Sequence, residues 1–245
     1  MNLSELITDS YNRRARLQPA LLAVLPIGLV ALILFPGLEH KAGTLIGLAA
    51  YFGGATWLTQ VGRDRGKKLQ PKLYEARDGM PSVSMLRHRD TRISTMTKQR
   101  YHAFLAANIP NLTLSSAEDE ANDPAAADDA YSSVTDWLLT ATRNKPESKL
   151  IFEENMNYGF RRNFWALRPI ALTVDIVLIA FVIMLHTTIT ADNSSMDVSL
   201  NTSALLALAA IIGHMILALM ATKNWVRTTA DAYARQLLAA CDNVH

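Results

Sequence analysis

Two ionisable side chains fall well inside otherwise apolar runs, away from their far ends: Asp175, six residues past Pro169, and His214, eight residues before Thr222. At about 1.5 Å per helical residue they lie about 9 Å and about 12 Å from the same face, in two runs of opposite direction, so they can share a depth. A carboxylate and an imidazole at one depth suit a pore-lining or gating pair. The plainer readings are an interhelical hydrogen bond that fixes packing, or an Asp close enough to the interface to stay hydrated. Pro26, with Gly28 beside it, predicts a kink whose freed carbonyl a neighbour must satisfy. Pro26, Asp175 and His214 are therefore the pore or gating candidates, and His186 reads as interfacial.

A second group of residues could bind anions. Between Gly62 and Arg100 stand eleven bases (Arg63, Arg65, Lys67, Lys68, Lys72, Arg77, Arg87, Arg89, Arg92, Lys98 and Arg100) against four acids, a local net charge of +7. Arg63, Arg65, Lys67 and Lys68 directly follow an apolar run, where attraction to anionic lipid and retention on one side of a membrane account for them. Arg87, Arg89, Arg92, Lys98 and Arg100 lie much further on. Together with the rings of Tyr101 and His102 they offer phosphate-binding charge beside stacking surfaces, as single-strand binders do. The competing reading is salt bridging to the block Glu118–Asp129, which holds six acids and no base, in the same or a neighbouring subunit. Arg161, Arg162 and Arg168 could join either surface.

Covalent chemistry has little support. His88-Arg89-Asp90 copies a kinase tripeptide, but no Gly-rich loop or Asp-Phe-Gly accompanies it. P-loop, HExxH and GxSxG patterns are missing, and the lone Cys241 excludes an internal disulfide and a cysteine zinc cluster. No catalytic residue, metal or cofactor is expected, and Asn111-Leu112-Thr113, on the cytosolic side, is an unused glycosylation match.

The elements that must position these groups are four apolar runs, Leu17–Phe35, Ala42–Val61, Pro169–Ile189 and Thr202–Thr222, each near the roughly 20 residues that cross a bilayer as a helix. Of the 24 Lys and Arg residues, 23 fall in segments that four crossings place on one face; the other face holds only Lys41, in Pro36–Lys41, and the turn Thr190–Asn201. Bases resist translocation, so both termini and the central segment are expected in the cytoplasm, at the bacterial inner membrane. The first run is too long for a secretory signal core and no cleavage pattern follows it. The reading is an all-α, polytopic membrane protein with four transmembrane helices and a helical cytosolic domain inserted between helices 2 and 3. Its segments are 1–61, 62–168, 169–222 and 223–245.

Within the insert, Asp123 as N-cap and Pro124 at the first position start a helix running to Arg143 with Tyr131, Val134, Leu138 and Ala141 at helical spacing. Thr97–Ala107 and Leu150–Trp165 read as two more, the latter leading into the third crossing. Gly79, Pro81, Pro110 and Pro146 break the segments, and no period-2 strand is evident. In the second run, Gly43 and Gly47, then Ala50 and Gly54, with Gly53, make a small-residue face for close helix packing, within the subunit or between subunits.

Gly62-Arg63-Asp64-Arg65-Gly66-Lys67-Lys68-Leu69, Pro71-Lys72-Leu73-Tyr74, Leu86-Arg87-His88-Arg89-Asp90 and Thr97-Lys98-Gln99-Arg100-Tyr101-His102, with Phe152-Glu153-Glu154-Asn155, Tyr158-Gly159-Phe160-Arg161-Arg162-Asn163 and Trp165, resemble a bacterial membrane-protein family. That family looks like the membrane effectors of the Hailong anti-phage system, and the likeness spans roughly Ala50 to Pro169. The resemblance implies a tetrameric, DNA-gated ion channel paired with a nucleotidyltransferase that makes single-stranded DNA. Physically, one four-crossing subunit with few intramembrane polar groups can hardly enclose a water path, so a channel requires a homo-oligomer in membrane lipid. The expected function is an oligomeric membrane effector forming an ion channel gated by a polyanionic nucleic acid. The alternative is a non-conducting scaffold that recruits a cytosolic partner through its charged domain.

Overall fold

The computed structural model describes residues 8–35, 43–75, 79–143, 148–192 and 198–242. The Pro36–Lys41 turn, Arg77, Pro146 and the middle of the Thr190–Asn201 turn lie outside the described residues. Among the described residues every regular element is helical: α1 (Asn12–Leu34), α2 (Gly43–Tyr74), α3 (Pro81–Ser84), α4 (Thr95–Asn108), α5 (Ala117–Asn122), α6 (Pro124–Ala141), α7 (Lys149–Asp192), α8 (Val198–Met220) and α9 (Lys223–Ala239). The chain divides into two compact units, Met1–Leu69 with Gly159–Val226, and Gln70–Tyr158 with Arg227–His245.

The first unit is apolar. Among the described residues three helices are long and apolar enough to cross a membrane, within Asn12–Leu34, Lys149–Ile189 and Asn201–Met220. The Ala42–Val61 run is helical from Gly43, in α2, which is not among the three. Packing relies on small side chains: Ala20, Ala23, Ala55, Ala171, Ala218 and Ala221 are buried with Phe164 and Leu167, and a second cluster joins Val30, Val182, Ala207 and Ile211. Small residues let backbones approach, which matters where lipid offers no hydrophobic driving force between helices. Large apolar side chains point outward instead, among them Leu32, Trp57, Ile176, Leu205 and Met220. A surface of that kind is costly in water and suits a membrane.

The second unit has an ordinary core of Met85, Leu86, Tyr101, Leu105, Tyr131, Val134, Leu138, Leu237 and Leu238. Its helices start where their side chains satisfy unpaired N–H groups. Ser94 caps α4 by accepting from Thr97 N–H, and Asp123 Oδ1 caps α6 by accepting from Ala126 N–H at 3.0 Å. The expected helix at Pro124 is present and buries Tyr131, Val134 and Leu138, but it ends at Ala141 rather than Arg143. Thr97–Ala107 extends to Thr95–Asn108, and Leu150–Trp165 is part of the single helix Lys149–Asp192. The stretch before Asp123 contains a helix not foreseen, α5, started by a capping box in which Ser116 and Asp119 each accept the other's N–H.

Candidate functional site

In the apolar unit the three gating candidates meet. Pro26 lies inside α1 and has no N–H, so the Leu22 carbonyl four residues earlier lacks its usual helical donor. His214, from α8, supplies that donor: its Nε2 stands 2.9 Å from Leu22 O. On the other side of the ring, Nδ1 lies 2.8 Å from Asp175 Oδ1 and 3.0 Å from Oδ2, on α7. A carbonyl oxygen can only accept, so Nε2 carries a hydrogen. A second proton is then shared between Nδ1 and the carboxyl group. Whichever atom holds it, the pair has no net charge. Asp175 is 0% and His214 3% exposed, so as placed the pair ties three helices of one chain together. His186, at the far end of α7, bonds Asn201 Oδ1 through Nε2 at 2.6 Å.

In the second unit the cations of the basic block are largely engaged inside the fold. Arg87 is buried and grips Asp128 with two bonds, Nε to Oδ1 at 2.7 Å and Nη2 to Oδ2 at 2.5 Å. Lys98, also buried, donates from Nζ to the carbonyls of Arg87 and Asp90. Arg92 holds Asp90 Oδ2 at 2.7 Å and Asp231 Oδ1 at 3.2 Å, and donates to Ser84 Oγ at 2.6 Å. Arg100 pairs with Asp242 at 2.7 Å on the surface. Tyr101 is buried in the core with its hydroxyl 3.3 Å from Asp242 Oδ2. Arg89 and His88 are exposed. The acidic partner of Arg87 comes from the block that sequence reading offered as its competitor for a ligand.

A buried carboxylate, Glu120, organises the neighbouring polar groups. Its Oε2 accepts from His88 N–H at 2.8 Å and from the Tyr131 hydroxyl at 2.8 Å. His102 reaches Leu86 O through Nε2 at 2.9 Å, and burial lowers its proton affinity, aided by His88 and Lys98. Burial likewise lowers that of Lys98 against the opposing pull of Asp90 and Glu120. For Asp90, burial favours the acid, yet the hydrogen bonds and charge of Arg92, with Lys98, outweigh it and hold the carboxyl below its ordinary value.

The remaining sequence-predicted bases occupy a different setting. Arg65, Lys67, Lys68 and Lys72 are exposed along α2, while Arg63 is half-buried. On α7, Arg161 lies over the Trp225 ring at 4.9 Å and donates to Trp225 O at 2.9 Å. Arg162 is buried, with Nε and Nη2 both 3.3 Å from Asn163 Oδ1. Arg168 donates to Ala221 O at 3.4 Å. Sequence reasoning missed Asn163, whose Nδ2 donates to Ala15 O at 2.7 Å, and Arg16, which feels the charges of Arg63 and Arg162.

Among the described residues no group of His, Cys, Asp and Glu could hold a metal ion. No protein family, curated protein or solved structure was found to match this chain.

Proposed function

We propose that the chain is a four-crossing inner-membrane protein with cytoplasmic termini, and that it assembles as a homo-oligomer enclosing an ion pathway gated by a polyanion, single-stranded nucleic acid, on the cytoplasmic side. The observation that carries this reading is the double character of α2. In its apolar half, Cβ atoms built at Gly47, Gly53 and Gly54 would meet nothing within 4 Å, so among the described residues no other helix closes on these three glycines. A small-residue face of this kind supports close approach of a second subunit. Just beyond, the same helix exposes Arg65, Lys67 and Lys68. A polyanion that gathers these cations from several subunits acts directly on the helices that would pack around the axis, which is the differential contact a two-state pore needs. Membrane anti-phage defence, a tetramer and a nucleotidyltransferase partner are what the family resemblance adds.

The test is current across a planar bilayer containing the purified protein, with and without short single-stranded DNA on the cytoplasmic side. The expected result is a conductance that DNA changes and that nuclease or high salt restores, with the response lost in Lys67→Gln/Lys68→Gln. A silent bilayer from protein that binds no DNA overturns it. The second reading is a non-conducting scaffold recruiting a cytosolic partner. The engagement of Arg87, Arg92, Lys98 and Arg100 inside their own unit favours it, because it takes the distal cations out of ligand binding.

A further inference from the structure

We infer that Arg16, Arg63 and Arg162 form a binding site for the phosphate of an anionic phospholipid head group in the cytoplasmic leaflet. Three helices bring them together. The start of α1 lies so close to α7 that a Cβ at Gly159 would stand 2.9 Å from Ala15 Cβ. One turn along, Asn163 Nδ2 grips Ala15 O at 2.7 Å, and its Oδ1 accepts from Arg162. On α2, a Cβ at Gly66 would come within 2.7 Å of that Oδ1 and 3.2 Å of Arg162 Nε, so the position is kept clear for the guanidinium. Arg63 is one turn before Gly66. Besides its burial, Arg16 feels Arg63 and Arg162, with Tyr11 and Asp9 opposing them.

The feature that asks for a ligand is Arg63. Its Nε is buried and has no hydrogen-bond partner among the described residues. A buried charged donor left unmade is costly, and an anion held between guanidinium groups removes the cost with charge-assisted bonds. Arg also suits phosphate better than Lys does, because its planar fork donates twice to one group.

The depth selects the source of the phosphate. Arg16 immediately precedes the Leu17–Phe35 run and Arg63 follows the Ala42–Val61 run by two residues. Arg162 adjoins Arg161, which lies on Trp225; that ring packs edge-on to Phe160 and Phe164, with centroids 6.2 and 6.3 Å apart. Aromatic belts of this kind gather at the level of lipid head groups. This inference rests on the proposed crossing by the first half of α2.

The experiment is native mass spectrometry of the full chain in detergent, incubated with phosphatidylglycerol or phosphatidylcholine of matched acyl chains. Phosphatidylglycerol, whose phosphate charge is not offset by a choline cation beside the guanidinium groups, should be retained roughly tenfold more, with Arg63→Gln removing the preference and Lys67→Gln/Lys68→Gln leaving it. Arg63→Lys, which keeps the charge and loses the fork, should fall between. Equal retention of the two lipids, or a preference that survives Arg63→Gln, overturns the site. Displacement of the lipid by inorganic phosphate at low millimolar levels, or by short single-stranded DNA, overturns the lipid assignment in favour of a soluble anion or a nucleic acid. Because binding is read without a bilayer, the topology is tested separately. Lys68→Cys in a Cys241→Ser background should react with an impermeant maleimide only from the cytoplasmic side.

Discussion

The two units bury polar groups in opposite ways. In the apolar unit, Asp175, His214 and the Leu22 carbonyl form one short chain of bonds around a proline, surrounded by Ala, Val and Leu. In the polar unit, Arg87, Arg92, Lys98, Asp90, Asp128 and Glu120 spread their charge over many partners, several of them part-exposed. Deep among the apolar side chains the Asp175–His214 pair is kept because it fills one particular backbone vacancy. In the polar unit charges can be numerous because the buried ones, Arg87, Lys98 and Glu120, are each shared among hydrogen-bond partners and the others are partly hydrated.

The sharpest way to break this contrast is to remove one member of the isolated chain. His214→Leu leaves Asp175 and Leu22 O without partners and should cost about 3–5 kcal/mol, read as a lowered thermal midpoint in detergent. Replacing Asp175 and His214 together by apolar residues should recover much of that loss. If the His serves the proline vacancy, Pro26→Ala returns a donor to Leu22 O, and a double-mutant cycle with His214→Leu should show a coupling of about 1 kcal/mol. Additive effects would mean that the ring is held by Asp175 alone.

A smaller effect is expected in the polar unit. Arg87→Met removes a buried guanidinium from Asp128, whose side chain keeps 34% of its surface and can hydrate. Hydrogen exchange at amides of α6 should accelerate, at a cost of about 1–3 kcal/mol, below that of His214→Leu.

The same unit should lose stability gradually in acid. His102 binds protons less readily folded than unfolded, so below about pH 6.5 the unfolded chain takes up a proton first and stability falls. Asp90 is also shifted down, so its contribution is present above about pH 4 and fades as pH falls through its folded value. Acid unfolding monitored by exchange should therefore show two steps in this unit, the upper one removed by His102→Gln. The smallest effect belongs to Arg100→Gln. Its pair with Asp242 is on the surface, and no change in unfolding should be detectable in moderate salt.

Much of the helical layout was legible in sequence because its causes are local. Asp123 and Pro124 mark a helix start whatever surrounds them, and Tyr131, Val134 and Leu138 define its buried face by spacing alone. Helix α5 escaped because Glu118–Asn122 carries no apolar stripe; it is held by the Ser116–Asp119 box and by the burial of Glu120. The destinations of the basic residues were legible only as an alternative for Arg87, whose partner lies in the acidic block Glu118–Asp129, and not for Arg92 or Arg100. Arg87 finds Asp128 41 residues away, Arg92 finds Asp231 139 away, and Arg100 finds Asp242 142 away. A count of charge along the chain cannot tell a cation engaged at that distance from one left on the surface, such as Lys67.

The sequence by itself determined the long apolar helices, since a helix is the way a continuous apolar segment satisfies its own backbone, and it determined that Pro26 leaves one carbonyl over. It also bounded Asp175 and His214 to similar depths through the fixed rise of a helix. Only the tertiary structure decided that His214 serves the Leu22 carbonyl, that Arg87 is spent on Asp128, and that Arg63 has a buried Nε with no hydrogen-bond partner among the described residues. Each depends on contacts between residues distant in the chain; for Arg63 these include the close packing at Gly66 and Gly159, which has no local signature in the sequence.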